Sequence, residues 1–295
     1  LTEVFERHGI TPDVDLGPSG PLRAMVAGTG RLGVHGTGGI LFKHRSAEAA
    51  EIYFLANTSD AAADLTPSFR QSGRRPWLWN AVNGEIRPAA FTQKDGRTIV
   101  PLRLEPSESI YVVFAERAET ESAGGTERIV LNTPVYETVV RLDGPWTVLF
   151  DGPDGQAQVV FHELTDWTKH PDKAVRYFSG TAVYERKFVL EKKPEGRLLL
   201  DLGGVGILAT VYVNGRLAGT LWTNPWEIDV TELIRDGENV LRIEVTNTWN
   251  NRLVGTSEMQ LDSDGIWISR VYNYDRNNPL LSSGLLGPVT VKAAR

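Results

Sequence analysis

From residue 40 onward this chain never sustains a long apolar run. Segments such as GILFKHR, AEIYFLANTS, DLTPSFRQS, RPWLWN, GEIRPAAF, RTIVPLRLE and SIYVVFAER are short, rich in β-formers, and end at Gly, Asn, Asp or Pro. The same pattern continues in TVVRLDG, WTVLFD, GTAVYERKFVL, GRLLLDLGG, ILATVYVNGRLAGTLW, NVLRIEVTN and GPVTVKA. Runs this short and evenly separated predict antiparallel strands stacked as sandwiches. No strand–helix alternation and no fixed-period repeat is present, which excludes a doubly wound sheet and a solenoid. In SIYVVFAER, Ile110, Val112 and Phe114 share one face while Tyr111 and Val113 take the other. VNGRLAG places Asn-Gly between two apolar runs, a tight-hairpin signal. In DVTELIRDGEN, Asp229 or Thr231 is expected to cap one short helical turn.

The expected fold is all-β, with two β-sandwich domains. The smaller spans 37–117 and the larger 128–295, joined by the polar, strandless segment AETESAGGTE at 118–127. Residues 1–36 form an N-terminal helix and linker. Leu1, Val4, Phe5 and His8 sit at helical spacing, Gly9 follows as a C-cap and Pro12 as a stop. A helix that starts uncapped at residue 1, with no initiator Met, reads as a cut end of a longer protein.

Composition removes several function classes. The 295 residues contain no cysteine, so disulfides, thiolate nucleophiles and Cys-type zinc sites are excluded. The net charge is -6 and no Lys/Arg cluster occurs, which argues against nucleic acid. No apolar run reaches the roughly 20 residues of a bilayer-spanning helix, so no membrane partner is expected. The histidines at 8, 35, 44, 162 and 170 lack metal-ligand spacing. GTGRLGVHGTGG at 28–39 has no preceding strand and no following Lys-Ser/Thr, so it is no phosphate loop. A Gly-x-Ser-x-Gly elbow is absent. Carboxylates that could pair for glycoside hydrolysis are Glu163 with Asp166, Glu185, Glu227 with Asp229, and Asp262 with Asp264. None is placed in a pocket by its sequence context, and no catalytic residue is assigned.

The stretch VTNTWNNRLVG, 245–255, starts as a strand and changes character. Leu241, Ile243 and Val245 alternate inward, and Asn247 keeps that parity although it is polar. The chain has eight tryptophans, and several stand beside amides and arginines. Trp222, Asn224 and Trp226 share one loop region; Trp249, Asn250, Asn251 and Arg252 share a second; Trp267, Arg270 and Tyr272 share a third. Sugar recognition uses this mixture, with rings on the C–H face and amides or guanidinium on hydroxyls. The same residues can instead plug the open end of a sandwich and satisfy loop carbonyls.

The run YFSGTAVYERKFVL through VTNTWNNRLVG, 177–255, resembles the galactose-binding-like jelly roll of several large glycoside hydrolases, the sugar-binding type of family 2. With PLLSSGLLGPVTV at 279–291 and the upstream segments ILFKHRSAEAAEIYFLANTS, LWNAVNGEIRPAAF and RTIVPLRLEPSESIYVVFAE, it is similar to the C-terminal part of glycoside hydrolase family 106, the bacterial α-L-rhamnosidases. The likeness covers about residues 1–14 and 40–293. It implies a non-catalytic C-terminal region whose parent carries its glutamate pair in a catalytic barrel outside this chain. The implied partners are that barrel and a rhamnose-containing glycan, and the implied location is secreted or periplasmic in a bacterium. No cofactor is implied beyond a structural calcium ion of the kind such jelly rolls carry. Two other readings stay open: a stand-alone carbohydrate-binding module, and a scaffold that binds no sugar.

Overall fold

A computed structural model describes residues 13–16, 39–115, 132–152, 155–259 and 277–295. The N-terminal helix, the glycine-rich 28–38 and the linker 118–127 lie outside the described residues. The chain divides into two compact units, Leu1–Pro134 and Val135–Arg295. Both are built from antiparallel strands, so the fold class is all-β.

The first unit centres on a five-stranded sheet. Its order is β2 (Ile40–Ser46), β3 (Ala50–Asn57), β11 (Ser109–Ala115), β6 (Pro76–Trp79) and β7 (Ile86–Pro88). A four-stranded sheet runs β1 (Val14–Asp15), β5 (Ser68–Phe69), β9 (Arg97–Ile99) and β8 (Thr92–Lys94). A ribbon pairs β10 (Leu102–Leu104) with β4 (Ala63–Leu65). Alternation decides what enters the core. Tyr53, Leu55, Leu78, Val112 and Phe114 supply one side, and Val14, Leu65, Phe69, Leu102 and Leu104 the other. His44 stacks on Tyr53 at 4.2 Å, with its Nε2 2.6 Å from Glu51 and its Nδ1 3.3 Å from Asp13.

The second unit holds a six-stranded sheet. Its order is β14 (Gly155–Phe161), β13 (Trp146–Gly152), β15 (Thr181–Leu190), β21 (Gly237–Thr246), β18 (Leu208–Val213) and β19 (Arg216–Leu221). A four-stranded sheet runs β12 (Tyr136–Arg141), β23 (Thr290–Ala294), β16 (Leu198–Asp201) and β20 (Glu227–Asp229). Two-residue strands β17 (Val205–Gly206) and β22 (Gly284–Leu285) pair beside them. Val148, Phe150, Ala182, Tyr184, Ala209, Val211, Leu241, Ile243 and Val245 form one wall of the core, and Leu198, Leu200 and Val291 the other. Asn214 and Gly215 take positive φ at the hairpin between β18 and β19, as an Asn-Gly turn requires. Asn214 also bridges to the Leu233 carbonyl and to Asn239, which ties the hairpin to the 230–239 turn.

Helix is scarce. A 3-10 turn covers Trp167–Lys169, α1 covers Lys173–Arg176 and α2 covers Asn250–Met259. None of the described helices is long and apolar enough to cross a membrane. The helical turn expected near Asp229 is a single turn, capped by that residue. Asp229 Oδ1 accepts from the Thr231 amide and hydroxyl, while Leu233 and Ile234 donate to the Val230 carbonyl.

Candidate functional site

Strand register brings three of the chain's segments to one end of the six-stranded sheet. Thr246, the last residue of β21, lies opposite Thr181 on one side and Leu208 on the other. Ala209 in turn lies opposite Leu221. Residues 247–252, Ile207 and Trp222 therefore leave the sheet at the same end.

Much of the polar chemistry there is spent inside the protein. Asn247 Nδ2 donates to the Phe178 carbonyl at 2.8 Å and to Ser283 Oγ at 3.1 Å, and its Oδ1 accepts from Gly180 N at 3.0 Å. Asn251, only 1% exposed, holds Leu281 by both backbone groups: Nδ2 to O at 2.7 Å, N to Oδ1 at 2.8 Å. The same amide donates to Ser283 Oγ at 3.0 Å. Ser283 N donates to Asp166 Oδ1 at 3.1 Å, and Trp167 N donates back to the Ser283 carbonyl. Beneath these, Trp167 Nε1 donates to Tyr184 Oη at 2.6 Å, and Leu285 N donates to the same oxygen. Segment 279–285 is thus pinned across the end of the jelly roll by side chains from 166, 184, 247 and 251.

The expectation that Asn251 contacts ligand is corrected on this geometry: its donors and acceptor are turned inward and consumed. Asn250 donates to the Pro279 carbonyl and to Asn251, so it too grips the crossing segment. Residues 250–252 are the first turn of α2 and not a loop. The helix packs close, since a Cβ on Gly255 would collide with the Tyr177 ring. Arg252 is half-buried in that first turn.

What faces solvent is aromatic and apolar. Trp249 is 66% exposed and Trp222 61%. Ile207 and Leu281 are exposed beside them in the chain's return to this end. Ile207 also sits at φ 99°, a left-handed conformation that a β-branched residue rarely adopts. Trp226 is different: it packs half-buried against the core, and its carbonyl accepts from Leu202 N. Asn224 is half-buried ahead of Pro225, in a cis peptide. Trp267, Arg270 and Tyr272 lie outside the described residues, as do Asp262 and Asp264.

The carboxylates noted in the sequence are dispersed. Glu227 shares Lys292 with Asp201, Asp229 pairs with Arg197, and Glu185 lies 3.9 Å from Arg242. Among the described residues no cluster of three or more His, Asp or Glu could hold a metal ion. Asp166 is a cap. Burial would raise its carboxyl, but hydrogen bonds from Thr168, Ser282 and Ser283 outweigh burial and hold it below the usual 3.8. The Tyr184 phenol is pushed up to about 12 by burial.

A depressed carboxyl stabilises the fold above its unfolded pKa, and that contribution is lost as pH falls through the folded value. Melting temperature should therefore drop as pH is lowered below about 4. Asp166→Asn keeps an acceptor oxygen but cannot titrate, so its melting curve should depend less steeply on pH in that window. Parallel pH profiles of variant and wild type would count against the assignment.

Trp167, Tyr184 and Ser283 had no sequence signal as site residues, and Asp166 stood out only as a carboxylate beside Glu163. Their partners lie far along the chain, and a capping Asp or a core Trp looks the same wherever it stands.

Comparison with known proteins bears on this architecture. Residues 32–93 match the family model described as α-L-rhamnosidase, glycoside hydrolase family 106. A solved rhamnosidase from Novosphingobium sp. PP1Y superposes on 99% of this chain with a TM-score of 0.78 and 34% identity. By these matches the chain resembles rhamnosidases. The likeness to that rhamnosidase spans both units, yet this chain covers only 26% of it. Residues 159–274 match the galactose-binding domain-like model of glycosyl hydrolase family 2, the segment that contains most of the six-stranded sheet and its Trp222–Trp249 end. A protein of Formosa agariphila named "Putative beta-glucuronidase" is 37% identical over 178 residues, 52% of this chain and 15% of its own length.

Proposed function

We propose that this chain is the non-catalytic β-sandwich region of an α-L-rhamnosidase-like glycoside hydrolase, and that the Trp222–Trp249 end of its jelly roll holds glycan. The observation that carries the reading is the contrast at that end. Its amides are spent on the fold, while two large indole rings stand in solvent where burial would have been worth about 1.5–3 kcal/mol each. An indole offers a face for the C–H side of a sugar ring. The strained Ile207 backbone beside them supports a functional rim, since such conformations persist where surrounding structure enforces them. The family 106 likeness supports a rhamnose-containing glycan, a catalytic barrel as partner, a secreted or periplasmic location, and calcium as the one structural ion.

Titration calorimetry of the full chain against rhamnose-containing oligosaccharides tests the reading. Trp249→Ala and Trp222→Ala should each weaken binding about fivefold with the fold intact. Wild type that binds no oligosaccharide would leave a scaffold. Hydrolysis of an aryl α-L-rhamnoside by this chain at the rate of an intact enzyme would overturn the non-catalytic assignment.

A further inference from the structure

The sequence sets asparagine before glycine twice, at Asn83–Gly84 and at Asn214–Gly215. This pair carries a chemistry of its own. The glycine amide nitrogen can attack the asparagine side-chain carbonyl, because no Cβ shields it and the glycine backbone turns freely. The fold treats the two pairs differently. Asn214 is held on every side. Its Nδ2 donates to the Leu233 carbonyl at 2.9 Å and to Asn239 Oδ1 at 2.8 Å, and its Oδ1 accepts from Val240 N at 2.9 Å. Asn239 is itself wholly buried, so the amide is anchored to the core.

Asn83 stands at the tip of the hairpin between β6 and β7, where residues 81–84 are all exposed. Its Oδ1 accepts from Glu85 N at 2.9 Å, which polarises the carbonyl. Its Nδ2, the group that would leave, has no hydrogen-bond partner among the described residues. Gly84 takes a φ of 75°, and nothing lies within 4 Å of where a Cβ would stand. The restraint on the pair is the turn. Gly84 N donates to the Asn80 carbonyl at 2.9 Å, and Asn80 Oδ1 accepts from Val82 N at 2.9 Å and from Asn83 N at 3.4 Å. Hydrogen bonds at an exposed hairpin tip open at low free energy.

We propose that Asn83 is a site of spontaneous covalent modification, deamidation through a cyclic imide, and that the fold protects Asn214 from the same reaction. When the turn opens, Gly84 N bonds to Asn83 Cγ and the Cγ–Nδ2 bond breaks. Ammonia leaves, carrying the former Gly84 amide proton. Water then opens the imide at either carbonyl and gives aspartate or isoaspartate. Both products set a new carboxylate two residues from Glu85. Isoaspartate also lengthens the main chain inside a turn closed by the bonds from Asn80 N to the Glu85 carbonyl and from Gly84 N to the Asn80 carbonyl. The reaction therefore marks the age of the chain at one hairpin of the first unit. It needs no glycan and no partner, so it stands apart from the sugar-binding reading.

The test is peptide mass spectrometry of the full chain after incubation at mildly alkaline pH, native and in urea. In the native chain the peptide with Asn83 should gain about 1 Da with time, while the peptide with Asn214 should not. In urea both peptides should react at comparable rates, which shows that folding and not local sequence separates them. Enzymatic methyl labelling of isoaspartate should follow the Asn83 mass gain. Asn80→Ala removes the side-chain acceptor that organises the turn and should speed the native reaction at Asn83 by at least about threefold. Asn83→Ser should abolish that signal with melting unchanged, since the side chain is exposed. Equal native rates at the two asparagines overturn the proposal. So does an Asn83 that reacts in urea but not in the native chain, or an Asn80→Ala rate at or below that of wild type.

Discussion

Replacing Trp167 by alanine should destabilise the second unit by about 3–5 kcal/mol, the range for deleting a large buried aromatic. The indole is almost wholly buried. It meets Phe150 edge-on at 5.2 Å and Phe178 at 5.5 Å, so its loss opens a cavity beside these two rings. It also removes the indole donor to Tyr184 and leaves a buried phenol with only the Leu285 amide. Thermal unfolding followed by circular dichroism should shift down by roughly 10 °C or more. Trp167→Phe separates the two contributions. It refills most of the volume but not the hydrogen bond, so its loss should be the smaller one, about 1–3 kcal/mol. A midpoint for Trp167→Ala within a degree or two of wild type would mean that the indole does not organise this end of the sandwich.

The second large effect is at Asn251, and for one variant its size depends on pH. The amide donates to the Leu281 carbonyl and accepts from the Leu281 amide, so it needs one donor and one acceptor. Asn251→Ala leaves the Leu281 amide without a partner and its carbonyl with only the Ser283 hydroxyl, at about 1–3 kcal/mol. Asn251→Asp keeps the shape, but at neutral pH it sets a carboxylate against the Leu281 carbonyl and the Ser283 hydroxyl. It should be less stable than wild type by at least as much as the alanine variant. Acidification protonates the carboxyl and restores a donor, so the aspartate variant should recover stability as pH falls toward 5, where wild type does not. Equilibrium urea unfolding at pH 7 and pH 5 measures the difference. An aspartate variant that loses stability on acidification would contradict the pairing.

How much of this could be read from residue order depends on where each strand finds its partners. Leu241, Ile243 and Val245 alternate cleanly because one face is core, and all three are fully buried. The Asn-Gly hairpin is local and was equally plain. Strand β14 was not, because GQAQVVF is an edge with little apolar content, and its pairing with β13 is what makes it a strand. β8 is three exposed residues for the same reason. Helix α2 begins with two asparagines and lacks a continuous apolar stripe. Tertiary contact, including the close approach of Gly255 to Tyr177, holds it where propensity does not. The site was half legible. Tryptophans at a strand end mark a rim, and Trp222 and Trp249 do stand exposed. Whether an asparagine reaches outward or inward is set by carbonyls dozens of positions away, and residue type is silent on that.

The pins at the jelly-roll end have an architectural consequence. Asn250 and Asn251 join Pro279 and Leu281 across 29 and 30 positions of sequence. The entropy of closing so long a span is offset there by a handful of side-chain bonds. Loss of one pin loosens the rest, so this end of the sandwich should open as a single cooperative unit.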